Sequence, residues 1–226
     1  MCIRDRGPGH EATVLKLRDP VSGFDTKKGL AITTDGNHRW CAENPRVGTK
    51  LIVAEGLMNL ACVGAYPLAL VNCLNFGNPE NPEVMWQLSE SIDGMAEACE
   101  GFGIPVVGGN VSLYNESSGA NISPTPVVGI VGKIEELYRK PPGFELLEGN
   151  RLVLLGPSDV GLGGSLWSSL HGFDSGELID VDFEIHKVLA DLVRSLISDG
   201  TIDGIHDLSA GGLGVALAEM LSLIHI

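Results

Sequence analysis

The chain has 226 residues, 44% of them hydrophobic, and a mean hydropathy of +0.18, enough apolar material to bury a core in one or two domains. Its formal charge is −14 and its pI about 4.7, which argues against a broad basic face for duplex nucleic acid or for an anionic membrane. A local nucleotide site stays open to it, because backbone N–H groups and Mg2+ can stand in for lysines.

The terminal stretches "MCIRDR" and "LSLIHI" do not continue the patterns beside them. Residues 1–27 are therefore read as partly non-native or linker, and 221–226 as a non-native end. Residues 28–34, "KGLAITT", predict a strand running into the Asp35-Gly36-Asn37 turn. Over 49–65, Leu51, Glu55, Met58, Cys62 and Ala65 recur at helical spacing among small residues, which predicts a close-packed helix. A mostly apolar strand follows at 68–74, then the loop "NFGNPENPE". Asn81-Pro82-Glu83 is a helix start, with an N-cap residue, proline at the first position and an acid in the first turn. That helix should bury Val84, Leu88, Ile92, Met95 and Cys99 and stop at Gly101 and Gly103. "IPVV" reads as a short buried strand leading into the loop "GGNVSLYNE", and residues 125–134 as a further strand.

A proline-, glycine- and charge-rich linker, "YRKPPGFELLEGN", precedes a second unit. There "RLVLLG" and "GIHDLS" read as strands, and "GLGGSLWSSLHG", residues 184–197 and "AGGLGVALAEM" as helices. Strands alternating with helices give an α/β protein in two parts. No apolar run has the length of a membrane span and no secretory signal is present, so the expected location is cytoplasmic. Five cysteines without a CxxC pair read as reduced thiols, Cys62 and Cys99 lying inside apolar helical patterns.

The loop after "IPVV" is the first candidate for chemistry. Gly108 and Gly109 let the backbone approach a ligand without a Cβ between them. Asn110 offers a neutral oxygen suited to Mg2+ that keeps waters and takes phosphate oxygens, and Ser112 shares its face if the loop is extended. A plain glycine turn explains the same residues. Asn72 and Asn75 stand at the mouth of the preceding strand, where amides can read a base or ribose, and where turn chemistry also favours asparagine. Asp35 could hold a metal, but aspartate before glycine is ordinary in a turn. His206 and Asp207 cannot form a dyad on a strand, where neighbours point to opposite faces. No Walker lysine, HExxH or GxSxG motif is present.

Taken together and in order, "TTDGN", "CLNFGNPENPEVMWQ", "GIPVVGGNVSLYNES", "PTPVVGIVG" and "HDLSAGGLGVALAEM" resemble the phosphoribosylformylglycinamidine synthase family, large subunit, from about Lys28 to Met220. The joined pair "CLNFGNPE" and "GGNVSLYNE" is the specific part. The resemblance implies an aminoimidazole ribonucleotide synthetase-like α/β (α+β) fold. On that reading residues 28–140 are a barrel-forming ATP-binding domain and 150–220 the start of a C-terminal α/β domain, together making the second of two tandem halves. It further implies ATP- and Mg2+-dependent conversion of formylglycinamide ribonucleotide and ammonia to the amidine. The implied partners are a glutaminase subunit, a small bridging subunit and the first half of the same chain. Carried over by position, Asn72 and Gly109 become ATP contacts, Asn110 a Mg2+ ligand and Ser112 a contact to the ribonucleotide. No residue here inherits the family's catalytic histidine, which belongs to the first half, so the chain is expected to be inactive alone. Two departures stand out: Asn72 where the family often has aspartate, and "WCAENPRVG" where an Asp-Pro-Tyr-like turn is common. A bracing nucleotide in a non-catalytic half, or another enzyme of the same fold, are the alternatives.

Overall fold

The computed structural model describes residues 10–137, 141–157, 161–173 and 176–222. The segment "MCIRDR" and residues 223–226 lie outside them.

Five strands form one sheet in the order β1-β2-β7-β3-β4, where β1 is Thr13–Arg18, β2 Asp25–Asp35, β3 Tyr66–Asn75, β4 Val106–Ser112 and β7 Thr125–Ile134. The pair β3/β4 is parallel and is joined by helix α3 (Pro82–Phe102), a βαβ crossover. The other neighbours are antiparallel. A two-stranded hairpin, β5 (Glu116–Ser117) with β6 (Ala120–Asn121), follows β4. The sheet is open, with β1 and β4 as its edges. Residues 13–18, read as part of a linker, are the strand β1, because Val14 packs into the core beside Ala31 of β2.

One face of the sheet carries the core. Ala31, Leu70, Leu74, Val128 and Ile130 are buried beneath α2 (Pro45–Cys62) and α3. Ile32 and Val71, which alternate with them, stand exposed on the other face. Helix α1 (His38–Glu43) ends at Asn44, which caps α2 by accepting from the N–H groups of Arg46 and Val47, with Pro45 in the first turn. The unusual "WCAENPRVG" segment is thus an ordinary Asx-Pro helix start. The helix begins earlier than its apolar stripe suggests. Leu51, Glu55 and Met58 on that stripe are only half-buried, whereas Ile52, Val53, Leu60 and Ala61 are enclosed. A helix wedged between the sheet, α3 and α5 is apolar on several sides, so a single stripe misplaces its core face.

α3 is capped by Asn81 and closed by Gly103 in the left-handed region, φ 71°. Its crossing of α2 is close: a Cβ on Gly94 would lie 2.9 Å from the carbonyl carbon of Arg46. Ile92, expected in the core, is exposed. β4 also differs from expectation. It extends through Gly108-Gly109-Asn110 to Ser112 rather than ending at "IPVV", and it is an exposed edge strand rather than a buried one.

The second unit contains α4 (Leu166–His171), α5 (Phe183–Asp199) and α6 (Gly212–Ser222). Neither "RLVLLG" nor "GIHDLS" forms a strand; the described residues there hold one isolated bridge, Gly143 to Gly204. A strand needs a neighbour for its backbone groups, and Leu152, Val153 and Leu154 remain exposed without one. α5 docks on α2 through Ala190, Val193 and Ile197 against Ala61. Lys50 of α2, its side chain only 9% exposed, reaches Asp180 at 2.6 Å and Glu97 at 3.4 Å and so ties the two units together.

Candidate functional site

The parallel register sets Asn72 opposite Gly109, Cys73 opposite Asn110 and Asn75 opposite Ser112. Directly opposed residues share a face, and successive residues alternate. Asn72 and Gly109 therefore face the helices, while Asn110, Ser112 and Asn75 face the open side. Asn110 and Ser112 do share a face, and the reason is that the segment is strand, not loop. Asn72 donates through Nδ2 to Met95 Sδ at 3.4 Å. Its carbonyl end lies across Gly109, where a Cβ would overlap Oδ1 and sit 2.7 Å from Cγ. A side chain at 109 would have to displace Asn72, so the neighbouring strand alone favours glycine there. A ligand touching all four residues has to reach over the free β4 edge.

Beyond the strand ends, two loops are stitched together by Asn115, which no short motif singles out. Its Nδ2 donates to the carbonyls of Phe76 (3.0 Å) and Ser112 (2.9 Å), and Ser112 Oγ donates to its Oδ1 (3.2 Å).

On the helix side lies an acidic cluster. Asp35 is not a solvated turn residue: it ends β2, is 9% exposed, and accepts from Thr33 Oγ1 at 2.7 Å and Asn59 Nδ2 at 2.8 Å. Glu55 stands one helical turn before Asn59 on α2. Burial, followed by the charges of Asp35 and Asp207, pushes Glu55 up to about 7. Asp35 is raised by burial against the pull of its two hydrogen bonds. Glu11 is pushed up to about 9, first by burial and then by Asp207, whose N–H also donates to Glu11 Oε1 at 3.1 Å.

His206 and Asp207 do meet, contrary to the strand argument. The segment is not a strand, and Nδ1 of His206 lies 3.3 Å from Asp207 Oδ1 and 2.7 Å from Glu11 Oε1, although neither contact is aligned as a hydrogen bond. Nε2 of His206 bonds Glu219 at 2.9 Å, and its ring stacks on Phe144 at 3.8 Å.

Asp35, Asn72 and Gly109 occupy one row across the sheet, since Asp35 pairs with Val128, Val128 with Asn72 and Asn72 with Gly109. Asp35 and Asn72 are two strand spacings apart, roughly 10 Å. Among the described residues the ligand atoms that lie within 4.8 Å of one another and could hold a cation are those of Glu11, His206 and Asp207, and Oδ1 of buried Asn59 has no partner. Asn110 alone supplies one neutral oxygen, which fits Mg2+ only where phosphate oxygens and water complete the shell. The spacing of Glu55 and Asn59 on one helix face was a usable sequence signal. The approach of Glu11 to Asp207 was not, because 196 positions separate them. Burial pushes the Cys41 thiol up to about 12 and Cys99 up to about 11, so neither serves as a nucleophile near neutral pH.

Residues 9–134 match the family described as AIR synthase related protein, N-terminal domain, and residues 148–223 match its C-terminal domain. The chain belongs to the AIR synthase related protein family. Among curated members it is 48% identical over 209 residues to the phosphoribosylformylglycinamidine synthase subunit PurL of Renibacterium salmoninarum, covering 92% of this chain and 27% of that protein. It is 46% identical over 215 residues to the PurL subunit of Moorella thermoacetica, covering 94% of this chain and 28% of the other. The chain thus spans little more than a quarter of the length of these relatives. A structure of Thermotoga maritima PurL complexed with FGAR superimposes with a TM-score of 0.59 at 28% identity, over 85% of this chain and 26% of that one. The same protein complexed with ATP gives 0.50 at 35% identity, over 56% and 20%. A HypE–HypF complex, at 19% identity and a TM-score of 0.60 over 95% of this chain and 64% of that one, shares the fold. Among the described residues no helix is long and apolar enough to cross a membrane.

Proposed function

We propose that this chain is the second-half portion of a phosphoribosylformylglycinamidine synthase. The full-length protein would use ATP to convert formylglycinamide ribonucleotide and ammonia to the amidine, as an ATP-dependent carbon–nitrogen ligase in purine biosynthesis. The observation that carries the reading is the β3/β4 register. In a chain 46–48% identical to PurL subunits, it sets Asn72 beside Gly109 on one face and Asn110 near Ser112 on the other, at a free strand edge.

In this reading the backbone at Gly109 and the amide of Asn72 contact ATP. Asn72 keeps an acceptor oxygen but lacks the charge of the aspartate common there, so its hydrogen bond is weaker than a carboxylate's. Ser112 contacts the ribonucleotide from the open face. Asn110 would hold Mg2+ together with phosphate oxygens, and the carboxylates of Asp35 and Glu55 would attract a cation on the helix side. Bound Mg2+ would offset charge on the phosphates. The first half of the full-length chain would supply the catalytic histidine. A glutaminase subunit and a small bridging subunit would deliver ammonia, all in the cytoplasm. Residues 28–140 would act as the ATP-binding domain and 150–220 as the start of the C-terminal one, and the chain on its own would be inactive.

A second reading rests on the enclosure of the acidic cluster and the helix-facing position of Asn72 and Gly109. Groups turned away from the open face suit a nucleotide held permanently to brace the fold. Titration of ATP with Mg2+ into the full-length protein separates the two. A substrate site exchanges added nucleotide freely and loses affinity in Asn110→Ala. A nucleotide that co-purifies at one per chain and resists exchange would instead establish the bracing role.

A further inference from the structure

The side-chain amide of Asn115 is fully committed, and that commitment fixes what Ser112 can do. An amide NH2 has two hydrogens. In Asn115 they go to two carbonyl oxygens, Phe76 O at 3.0 Å in the loop after β3 and Ser112 O at 2.9 Å at the end of β4. Exchanging the amide's nitrogen and oxygen would set Oδ1 against both carbonyls, so the orientation is determined by its partners. Nδ2 also lies 3.1 Å from Ser112 Oγ, so its two hydrogens are shared among three acceptors. The remaining pairing is Ser112 Oγ–H donating to Asn115 Oδ1 at 3.2 Å. That pairing turns the hydroxyl proton toward Asn115 and leaves an acceptor lone pair for a ligand.

The backbone reinforces this arrangement. Asn115 N donates to Phe76 O, Phe76 N to Ser112 O, and Tyr114 N to Gly77 O. Tyr114 adopts φ 59°, a left-handed conformation that a bulky residue rarely takes, and it turns the chain so that Asn115 faces back toward Ser112. Ile122, just past β6, donates to Asn115 O and ties the hairpin to the same point.

We infer that Asn115 is a positioning residue that holds the Ser112 hydroxyl as a hydrogen-bond acceptor, so that Ser112 recognises a donor on the ribonucleotide, a hydroxyl or an amide N–H, and not a phosphate oxygen. This rests on the reading that Ser112 contacts the ribonucleotide. A phosphate oxygen, an acceptor, would meet the lone pairs of the held hydroxyl and be repelled.

The test uses the full-length protein with its ammonia supply and compares Ser112→Ala, Asn115→Ala and the double variant. The expected result is a rise of about tenfold in KM for the ribonucleotide in either single variant, equivalent to loss of one hydrogen bond to substrate. KM for ATP should stay within about twofold, and the double variant should be no worse than the singles, since both remove one interaction. If Asn115→Ala does not fold, Asn115→Ser, whose shorter side chain keeps one O–H donor for a loop carbonyl and withdraws the amide oxygen from Ser112, is read the same way. Three results would overturn the inference. In the first, Ser112→Ala raises KM while Asn115 variants leave it unchanged, which removes the positioning role and spares the substrate contact. In the second, Asn115 variants change both KM values and the melting temperature together and multiply with Ser112→Ala, which marks a purely structural staple. In the third, Ser112→Ala has no effect, which overturns the substrate contact itself and the inference with it.

Discussion

The sheet-and-helix unit of residues 10–137 and the segment of residues 141–222 carry equally apolar sequence but use it differently. In the first, strand residues such as Leu70 and Ile130 are wholly enclosed beneath α2 and α3. In the second, Val153 is 72% exposed, Leu170 75% and Val188 68%. An apolar pattern records which surface gains by leaving water, and it becomes a strand or a core only where a partner is present. The open face of the sheet makes the same point inside the first unit, with Ile32 and Val71 exposed on it.

Core truncation should separate the two regions most sharply. Phe76→Ala, at a fully buried ring, is expected to destabilise by about 3–5 kcal/mol. Val153→Ser should change stability by less than about 0.5 kcal/mol while improving solubility. Denaturant unfolding of both variants checks this; similar losses would mean that residues 151–155 are packed.

The next effect concerns Gly109. Adding a methyl group there forces Asn72 to move, at about 1–3 kcal/mol, and the cost should shrink in an Asn72→Ala background. A double-mutant cycle by thermal unfolding measures it, and full additivity would contradict the packing account of that glycine.

Metal-free pH dependence is smaller and has a definite sign. Glu11 and Glu55 hold protons in the folded state up to about 9 and about 7, well above the model-compound value of 4.5. Through that window the native state binds more protons than the unfolded chain, so stability falls as pH rises from about 5 to about 9. Glu11→Gln should flatten the decline, seen as a smaller fall in melting temperature between pH 6 and pH 9 in chelator. An unchanged slope would place the titration elsewhere. Near the bottom of the scale, Asn44→Ala should cost about 1 kcal/mol through loss of the α2 cap.

What the sequence made legible follows the same division. The α3 start at Asn81-Pro82-Glu83 and its Gly103 stop depend on local chemistry and could be read directly. The strands at 68–74 and 125–134 could be read because their apolar residues have partners. Residues 151–156 carried the same apolar signal without a pairing neighbour and 204–209 pair only at the Gly204–Gly143 bridge, and no local pattern distinguishes these cases. At the candidate site, the shared face of Asn110 and Ser112 was legible from their spacing. That Asn72 and Gly109 face the other way follows from pairing register, which only the assembled sheet fixes. The enclosure of Asp35 depends on Asn59, 24 positions along the chain, and the meeting of His206 and Asp207 with Glu11 on segments nearly 200 residues apart.

The most direct test of the proposed function is ATP- and ammonia-dependent turnover of formylglycinamide ribonucleotide by the full-length protein carrying Asn110→Ala. The account predicts a loss of at least about a hundredfold in kcat with the melting temperature unchanged, as expected when charge stabilisation of phosphoryl transfer is weakened. Wild-type turnover in that variant would contradict it and assign the β4 edge to scaffolding alone.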